Sequence, residues 1–287
     1  MTLAPASLVA PTESTLKKSA GHKFGYGHGL VLSGGVGKGG AARLAARGAL
    51  RIGAGLVTLG CPPAALQENA AQLHAIMLRS VAGAEKLSEI LQDARINVIC
   101  IGPGLGLGAQ PAGLVRAALS ATRQTVLDAD ALTLIANDPG LFSLLHRNCV
   151  LTPHAGEFAR LFPDIAEKLH APAVKGPAFS KVDATREAAA RAGCTVLFKG
   201  PDTVIAHPDG RCAINSAQYD RAAPWLATAG SGDVLAGFIT GLMARGVHDP
   251  VETAAWLHVE CARSFGPGLI AEDLPEELPK VFRALGV

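Results

Sequence analysis

A short glycine-rich motif, Gly230-Ser231-Gly232-Asp233, carries the residues of this sequence best suited to chemistry. It runs directly into the apolar, helix-like pattern of residues 234–243. Glycines leave backbone N–H groups free where a helix begins, and the positive end of the helix dipole lies behind them, so the motif predicts an anion hole. Asp233 at its mouth suits a base that deprotonates a hydroxyl while the N–H groups hold a phosphoryl group. The alternative is an ordinary helix start in which Asp233 only faces the dipole.

A second glycine-rich loop, residues 33–40, follows the strand-like run 30–32 and precedes a helical pattern. A strand, a glycine loop and a helix in this order are typical of the first unit of a nucleotide-binding domain. The loop is not a Walker A motif, because Gly39 stands where Ser or Thr would hold a metal and Leu32 replaces the first glycine. We therefore interpret Lys38 as a solvated loop lysine rather than a phosphate ligand.

A third glycine-rich loop, residues 102–108, follows the continuous apolar run 98–101, which is typical of a buried parallel strand. A dinucleotide-binding fingerprint fits it weakly, since Leu107 replaces the third glycine and Pro103 fixes a turn where a helix should begin. Asp128 after the next strand keeps that alternative open. Even a simple turn here would lie at the carboxyl edge of the sheet, where ligands bind in open α/β folds.

Two further strand ends carry polar residues. The run 149–152 leads to His154 and Glu157, and the run 195–198 leads to residues 199–203. His154 could be an acid, a base or a ligand contact, and Glu157 could bind a metal through water or cap the helix that follows. We favour a ligand contact for His154 and a cap for Glu157.

Alternating strands and helices predict an α/β fold with a doubly wound, mostly parallel sheet flanked by helices. A turn at 208–210 predicts a short antiparallel edge hairpin. Residues 163–180 read as an irregular connection, and the tail after residue 265 as an acidic, proline-broken segment. The remaining predicted elements are strands at 56–59 and 74–78 and helices at 41–52, 62–72, 84–94, 181–192 and 251–265.

Composition narrows the class of protein. The chain has 287 residues, 49% of them hydrophobic, and a net charge of +2 without a Lys/Arg run, which argues against a nucleic-acid partner. Six cysteines without C-x-x-C spacing indicate a reduced, cytoplasmic protein, and no apolar run is long enough for a membrane span. We expect residues 1–22 to be a flexible leader and residues 23–287 a single domain.

With these stretches placed, the sequence resembles the ribokinase-like superfamily, and within it the ADP-dependent NAD(P)H-hydrate dehydratase family. The match runs in the family's order from residue 23 to about residue 265. The Thr-Pro-His-x-Gly-Glu element within it separates this family from sugar and pyrimidine kinases of the same fold. The segments that carry the match are 34–35, 40–45, 51–58, 101–106, 127–132, 151–157, 199–203 and 230–237.

The resemblance implies a ribokinase-like domain for nicotinamide nucleotide repair. It implies an enzyme that uses ADP, or ATP in some lineages, to dehydrate the S epimer of NADH or NADPH hydrate (NADHX and NADPHX), leaving AMP and phosphate when ADP is used. Phosphoryl chemistry of this kind predicts Mg²⁺ as a cofactor. The resemblance also implies a homo-oligomer, a homotetramer in the family's pattern, and an NAD(P)H-hydrate epimerase as functional partner. No metal-ligand set can be read from the spacing. The implied site comprises the catalytic Asp233, substrate-binding Ala41, Gly104, Gly106, His154 and Asp233, and nucleotide-binding Lys199, Gly200, Pro201, Asp202, Thr203, Gly230, Ser231 and Gly232.

Two segments depart from the sequence pattern of the family, and two alternative functions stay open. Lys38-Gly39 stand where the family usually carries an aromatic residue and a Thr, and residues 221–226 are atypical. A small-molecule kinase of the same fold, acting for example on a vitamin precursor, would share the Gly230–Asp233 motif. A non-catalytic nucleotide-binding protein would need the anion hole but no base, so an intact Asp233 argues against it.

Overall fold

The computed structural model describes residues 5–9, 16–172 and 176–287. Within them, ten strands form one sheet in the order β1-β10-β9-β8-β7-β6-β5-β2-β3-β4. The strands are β1 (Ser7–Leu8), β2 (His28–Leu32), β3 (Leu56–Cys61), β4 (Met77–Ser80), β5 (Val98–Ile101), β6 (Gln124–Leu127), β7 (Cys149–Leu151), β8 (Thr195–Phe198), β9 (Asp202–Ala206) and β10 (Cys212–Ser216).

The sheet is mostly parallel and buried on both faces, as its continuous apolar strands predict. All residues of β2 and β5 are buried, and successive side chains of these strands enter two separate hydrophobic clusters, one on each face. Only β9 runs antiparallel to its neighbours β8 and β10. The doubly wound sheet and its hairpin are confirmed. The hairpin lies one strand from the edge, because β1 pairs in parallel with β10.

Helices cover both faces of the sheet. Short 3₁₀ turns occupy Lys23–Tyr26, Pro63–Ala65, Tyr219–Arg221 and Pro224–Leu226. The α-helices are α1 (Gly40–Arg51), α2 (Leu66–Ala70), α3 (Ala84–Ile90), α4 (Ala109–Ser120), α5 (Asp130–Asn137), α6 (Pro139–Phe142), α7 (Ala155–Leu161), α8 (Pro163–His170), α9 (Lys181–Ala192), α10 (Ser231–Arg245), α11 (Pro250–Phe265) and α12 (Asp273–Ala284).

Two segments predicted to lack helices contain them. Helix α8 occupies the first part of the predicted irregular connection and begins at Pro163, where a missing N–H costs nothing; residues 173–175 of that connection lie outside the described residues. Helix α12 forms in the predicted proline-broken tail, with Pro279 inside it. Its face of Leu274, Leu278 and Val281 is buried, so packing outweighs the cost of the proline.

Two smaller predictions differ in extent. The helix predicted at 62–72 is a 3₁₀ turn followed by the five-residue helix α2. The strand predicted at 74–78 is β4, three residues later. Short elements of this kind have weak periodicity, so the sequence places them less well than the long buried strands.

Parts of the segment predicted to be a leader contact the domain. Ser7 and Leu8 pair with Ala213 and Ile214 of β10. The Leu16 side chain is 2% exposed, and its backbone oxygen accepts a hydrogen bond of 2.7 Å from the Arg245 guanidinium. The domain boundary at residue 23 stays a prediction.

The six cysteines are all buried and none forms a disulfide. No helix among the described residues has both the length and the apolar character needed to cross a bilayer.

Helix α10, which follows the glycine-rich motif, is the central helix of one face, and residues 234–244 are all buried. It lies directly against α1. A Cβ atom added to Gly237 would lie 2.1 Å from the Ala45 carbonyl oxygen, and one added to Gly241 would lie 2.5 Å from that of Ala49. The two helix backbones can approach so closely only because these positions have no side chain.

Gly237→Ala should therefore destabilise the protein by about 1–3 kcal/mol, as overpacking of a core does. Gly113→Ala is the matched control, since Gly113 lies inside α4 and its added Cβ would make only ordinary contact, 3.8 Å from Ala84. The free energy of unfolding of this control should increase by about 0.5–1 kcal/mol, because Ala has a higher helix propensity than Gly. Urea denaturation measures both, and equal stabilities for the two variants would contradict the close packing.

Candidate active site

The glycine-rich motif forms an open helix start at the carboxyl edge of the sheet. Gly230 is the N-cap of α10 with φ of 88°, and no side chain caps this helix. A Cβ at Gly230 would lie 2.7 Å from Leu44 and 2.9 Å from Ala271, so both the backbone angle and the space require glycine. The first turn of α10 can therefore bind an anion through its backbone N–H groups.

Asp233 lies in this first turn and has an unusually high pKa. Burial, and then the negative charge of Asp128, raise the pKa of Asp233 to about 7, while the Lys199 ammonium acts in the opposite direction. A carboxyl group with such a pKa can accept and release a proton near neutral pH, which is the property of a general base.

Lys199 and Asp128 form a buried ion pair beside Asp233. Lys199 Nζ lies 2.8 Å from Asp128 Oδ1 and 3.8 Å from Glu157 Oε2. Thr152 Oγ1 donates a hydrogen bond of 2.7 Å to Asp128 Oδ1. Burial lowers the pKa of Lys199, but Asp128 and Glu157 outweigh that effect, and the net shift is upward. Lys199 therefore stays charged among these carboxylates.

The first and third glycine-rich loops lie against each other. A Cβ at Gly34 would be 1.9 Å from the Gly104 oxygen, and one at Gly104 would be 2.6 Å from the Lys38 oxygen and 3.5 Å from Ala41 Cβ. Gly106 donates its N–H to Asp130 Oδ2 at 2.8 Å. The structure thus brings Ala41 and Gly104, both predicted to bind substrate, into contact.

His154 caps helix α7. Its Nδ1 accepts hydrogen bonds from the N–H groups of Gly156 and Glu157, at 3.0 and 3.4 Å, and Glu157 Oε2 accepts one of 2.8 Å from the His154 N–H. The His154 side chain is 56% exposed. Histidine and glutamate together form a capping box, so the cap that we favoured only for Glu157 involves both residues.

A cavity of about 500 Å³ opens beside the start of α10. Six of the eight predicted nucleotide-binding residues line it: Lys199, Gly200, Pro201, Thr203, Ser231 and Gly232. Of the other two, Gly230 is the helix cap and Asp202 is exposed outside the lining. The atypical segment 221–226 contributes Ala222, Ala223, Pro224 and Leu226 to its wall.

The sequence analysis missed two residues that support this cavity. Lys181 Nζ donates to the backbone oxygens of Lys199 and Asp202, at 3.0 and 2.6 Å, and burial lowers the pKa of Lys181 to about 8. His258 Nε2 lies 2.8 Å from the Ser231 oxygen, and burial lowers the pKa of His258 to about 4, which keeps it neutral. Lys181 is the first residue of α9 and His258 lies inside α11, and no local motif marks either of them.

The cavity, the open helix start and the two joined glycine loops meet at one edge of the sheet. A nucleotide phosphate can lie at the helix start, and a hydroxyl beside it can be deprotonated by Asp233. Among the described residues, no group of three or more His, Cys, Asp and Glu side chains is arranged to hold a metal ion.

Comparison with known proteins identifies the family. The model of the NAD(P)H-hydrate dehydratase family matches residues 29–281. The chain belongs to this family. Similar chains include the bifunctional NAD(P)H-hydrate repair enzyme Nnr of Moorella thermoacetica, 38% identical over 94% of this chain, and that of Thermofilum pendens, 33% identical over 92%. The chain spans 52% and 51% of these two relatives, about half the length of the curated proteins it matches.

Solved structures agree with the NAD(P)H-hydrate dehydratase family. The ADP/ATP-dependent NAD(P)H-hydrate dehydratase of Bacillus subtilis, co-crystallised with ATP and Mg²⁺, is 29% identical, with a TM-score of 0.75 and 95% coverage of both chains. A ribokinase-like superfamily protein of Enterococcus faecalis, 23% identical with a TM-score of 0.79 and 99% coverage of both chains, shares the fold. The predicted fold class and family are confirmed.

The raised pKa of Asp233 predicts a pH-dependent cost to stability. The folded protein holds this proton up to about pH 7, whereas the carboxyl has its ordinary value of 3.8 in the unfolded chain. Stability is therefore lost as pH rises from about 4 to 7. Asp233→Asn removes this loss. The free energy of unfolding of the variant should therefore exceed that of the wild type by about 2–4 kcal/mol at pH 8, and by clearly less at pH 5. Urea denaturation at both pH values measures the difference, and a pH-independent difference would show that Asp233 has an ordinary pKa.

Proposed function

We propose that this chain catalyses the nucleotide-dependent dehydration of the S epimer of NADHX and NADPHX to NADH and NADPH. Family membership supports the reaction class. The observation that carries the mechanism is a carboxyl group of pKa about 7, Asp233, in the uncapped first turn of a helix that borders a nucleotide-sized cavity. A proton acceptor and an anion hole in one helical turn are what activation of a hydroxyl by phosphorylation requires.

The proposed reaction has two steps. Asp233 takes the proton of the hydrate's ring hydroxyl as the oxygen attacks the terminal phosphorus of ADP, and the bond from that phosphorus to AMP breaks. The C–O bond between the ring and the new phosphate group then breaks, phosphate leaves with the bonding electrons, and a proton passes from the neighbouring ring carbon to water, which restores the ring double bond. Phosphate is a far better leaving group than hydroxide. The products are NAD(P)H, AMP and phosphate, and ATP would give ADP in place of AMP.

The chain's own residues provide position and charge for the nucleotide. The N–H groups of Gly232 and Asp233, in the first turn of α10, face the developing charge of the transferred phosphoryl group. Lys199 compensates one of the two negative charges of Asp128 and Glu157, which reduces their repulsion of an anionic nucleotide. Lys181 holds the backbone of the strand end that carries Lys199.

Mg²⁺ is proposed to enter with the nucleotide, as the co-crystallised Bacillus subtilis relative suggests. The described residues form no preassembled metal-ligand group, and Asp128 and Glu157 already face Lys199. Phosphate oxygens would therefore supply most of its ligands, and the ion would neutralise phosphate charge.

The hydrate is proposed to contact the opposite wall of the site. Ala41, Gly104 and Gly106 lie in or beside the two joined glycine loops, and the His154 ring is exposed above its cap. A homotetramer and a partner epimerase that supplies the S epimer are further proposals, supported by the family resemblance and by the bifunctional repair enzymes to which the chain is similar.

The deciding assay incubates the protein with NADHX or NADPHX, Mg²⁺ and either ADP or ATP, and follows the near-ultraviolet absorbance of the reduced nicotinamide ring. Recovery should require nucleotide and rise with pH through about 7, as Asp233 loses its proton. Asp233→Asn should lower turnover at least about 100-fold, the usual effect of a lost general base, with nucleotide affinity kept.

Asp220→Asn is the matched control for that assay. Asp220 lies in an exposed turn beside the cavity wall, so the same change in charge should leave turnover near the wild-type value. Normal turnover in Asp233→Asn would remove Asp233 from the mechanism. Failure of recovery with both nucleotides would favour the small-molecule kinase, and ATP consumption with a panel of small alcohols would then identify it.

His154 variants separate a cap from a substrate contact. His154→Ala should lower stability by about 1 kcal/mol through loss of the cap, whereas His154→Asn keeps a capping oxygen and should keep stability. Both variants lose the exposed imidazole, so both should raise KM for the hydrate while KM for the nucleotide changes little. A normal hydrate KM in His154→Asn would show that His154 acts only as a cap.

A further inference from the structure

A second cavity lies at the opposite end of the sheet from the candidate active site. Its volume is about 680 Å³, larger than that of the nucleotide cavity. We call it the amino-end cavity, because it is lined by the first residues of three neighbouring strands, His28, Leu56 and Met77. Helix α3 and the 3₁₀ turn Lys23–Tyr26 form its other walls. Nothing in the proposed reaction uses this end of the molecule.

A buried histidine with an unpartnered nitrogen lines this cavity. His28 is 7% exposed, and its Nε2 lies 2.8 Å from Thr58 Oγ1, which also lines the cavity. Its backbone N–H donates to Asn97 Oδ1 at 2.9 Å. Within the described part of the chain, His28 Nδ1 has no hydrogen-bond partner. A buried polar atom without a partner costs free energy, and the fold bears that cost next to this cavity.

The cavity carries an excess of positive charge. Four cationic and two anionic side chains line it. Arg95 pairs with Asp93 through two bonds of 2.9 and 2.7 Å, and Lys86 pairs with Glu89. These pairs use both carboxylates, and within the described residues Lys23 and Arg79 have no carboxylate partner. Two uncompensated cations at one cavity favour a dianionic group such as a phosphate ester.

An aromatic ring completes the wall. Phe24 is 40% exposed, and the Arg95 guanidinium lies 4.9 Å from its ring centroid. The His22 ring stacks on Phe24 at a centroid distance of 5.4 Å. The Lys23 ammonium lies 5.6 Å from the same centroid, and the exposed part of the ring offers an apolar contact to a planar group.

We propose that the amino-end cavity is a second ligand site, which binds a nucleoside monophosphate. The phosphate would lie between Arg79 and Lys23, with the His28 ring beneath it, and the base would lie against Phe24. Volume, charge and aromatic surface each fit this class, whereas a neutral apolar ligand would leave Lys23 and Arg79 without an anionic partner. The site is independent of the proposed dehydratase activity.

Calorimetry with AMP tests the site on the full chain. Because AMP can also enter the nucleotide cavity, Arg79→Gln, which leaves that cavity intact, gives the reference for binding there alone. AMP should bind the wild type, and Arg79→Gln should weaken it about tenfold or more through loss of a charge-assisted hydrogen bond. Arg147→Gln is the matched control, because Arg147 is exposed and remote from the cavity lining. It should bind AMP like the wild type.

Inorganic phosphate separates the contribution of the phosphate group from that of the base. Phe24→Ala should lower the affinity for AMP about tenfold, the effect of a lost base–aromatic contact. The weaker affinity for inorganic phosphate should stay unchanged. The ¹⁵N signals of the His28 ring should shift when AMP is added. Absence of AMP binding at millimolar concentration, equal affinity in Arg79→Gln, or phosphate binding as tightly as AMP would each overturn the proposal. Dehydration assays on Arg79→Gln should give normal turnover, which separates this test from that of the proposed function.

Discussion

The candidate active site depends on the balance between one buried ammonium group and the carboxylates that surround it. Lys199 lies within 4 Å of Asp128 and Glu157 and lowers the pKa of Asp233, which burial and Asp128 raise. Without Lys199, the open start of α10 would face an anionic nucleotide with three uncompensated carboxylates nearby. With it, one of these three negative charges is compensated, and Asp233 can exchange a proton near pH 7. A base and an anion hole can therefore share one helical turn.

This charge arrangement is held in place by backbone contacts rather than by large side chains. Helix α10 lies directly on α1 because Gly237 and Gly241 have no Cβ, and α1 carries Ala41 at its beginning. Gly34 and Gly104 allow the first and third loops to touch in the same way. The start of α10 and both loops thus have fixed relative positions. Glycine acts here by allowing close approach, and that explains why the motifs of the sequence are so rich in it.

The sequence predicted those parts of the site that local patterns encode. Continuous apolar strands, the glycine turns after them and the helix behind Asp233 each follow from a few consecutive residues. Lys181 and His258 could not be found in this way, because each belongs to a helix remote in sequence from the motifs and meets the site only through tertiary packing. Helix α12 was missed for a related reason, since its prolines argue against a helix locally, whereas burial of Leu278 and its neighbours stabilises one. The gain from burying apolar surface is non-local, and a sequence pattern does not display it.

The Thr-Pro-His-x-Gly-Glu element shows how one short segment can serve both halves of the site. Its glutamate, Glu157, accepts the His154 backbone N–H through Oε2, and the same oxygen lies 3.8 Å from Lys199 Nζ. The cap that orients the exposed His154 ring and the cation beside the nucleotide cavity therefore share one carboxylate. A change in the field at Lys199, such as the arrival of nucleotide phosphate, acts directly on the group that holds His154. The same fold could phosphorylate an alcohol without this link, so what distinguishes the element is that one carboxylate contacts both the proposed hydrate wall and the nucleotide wall.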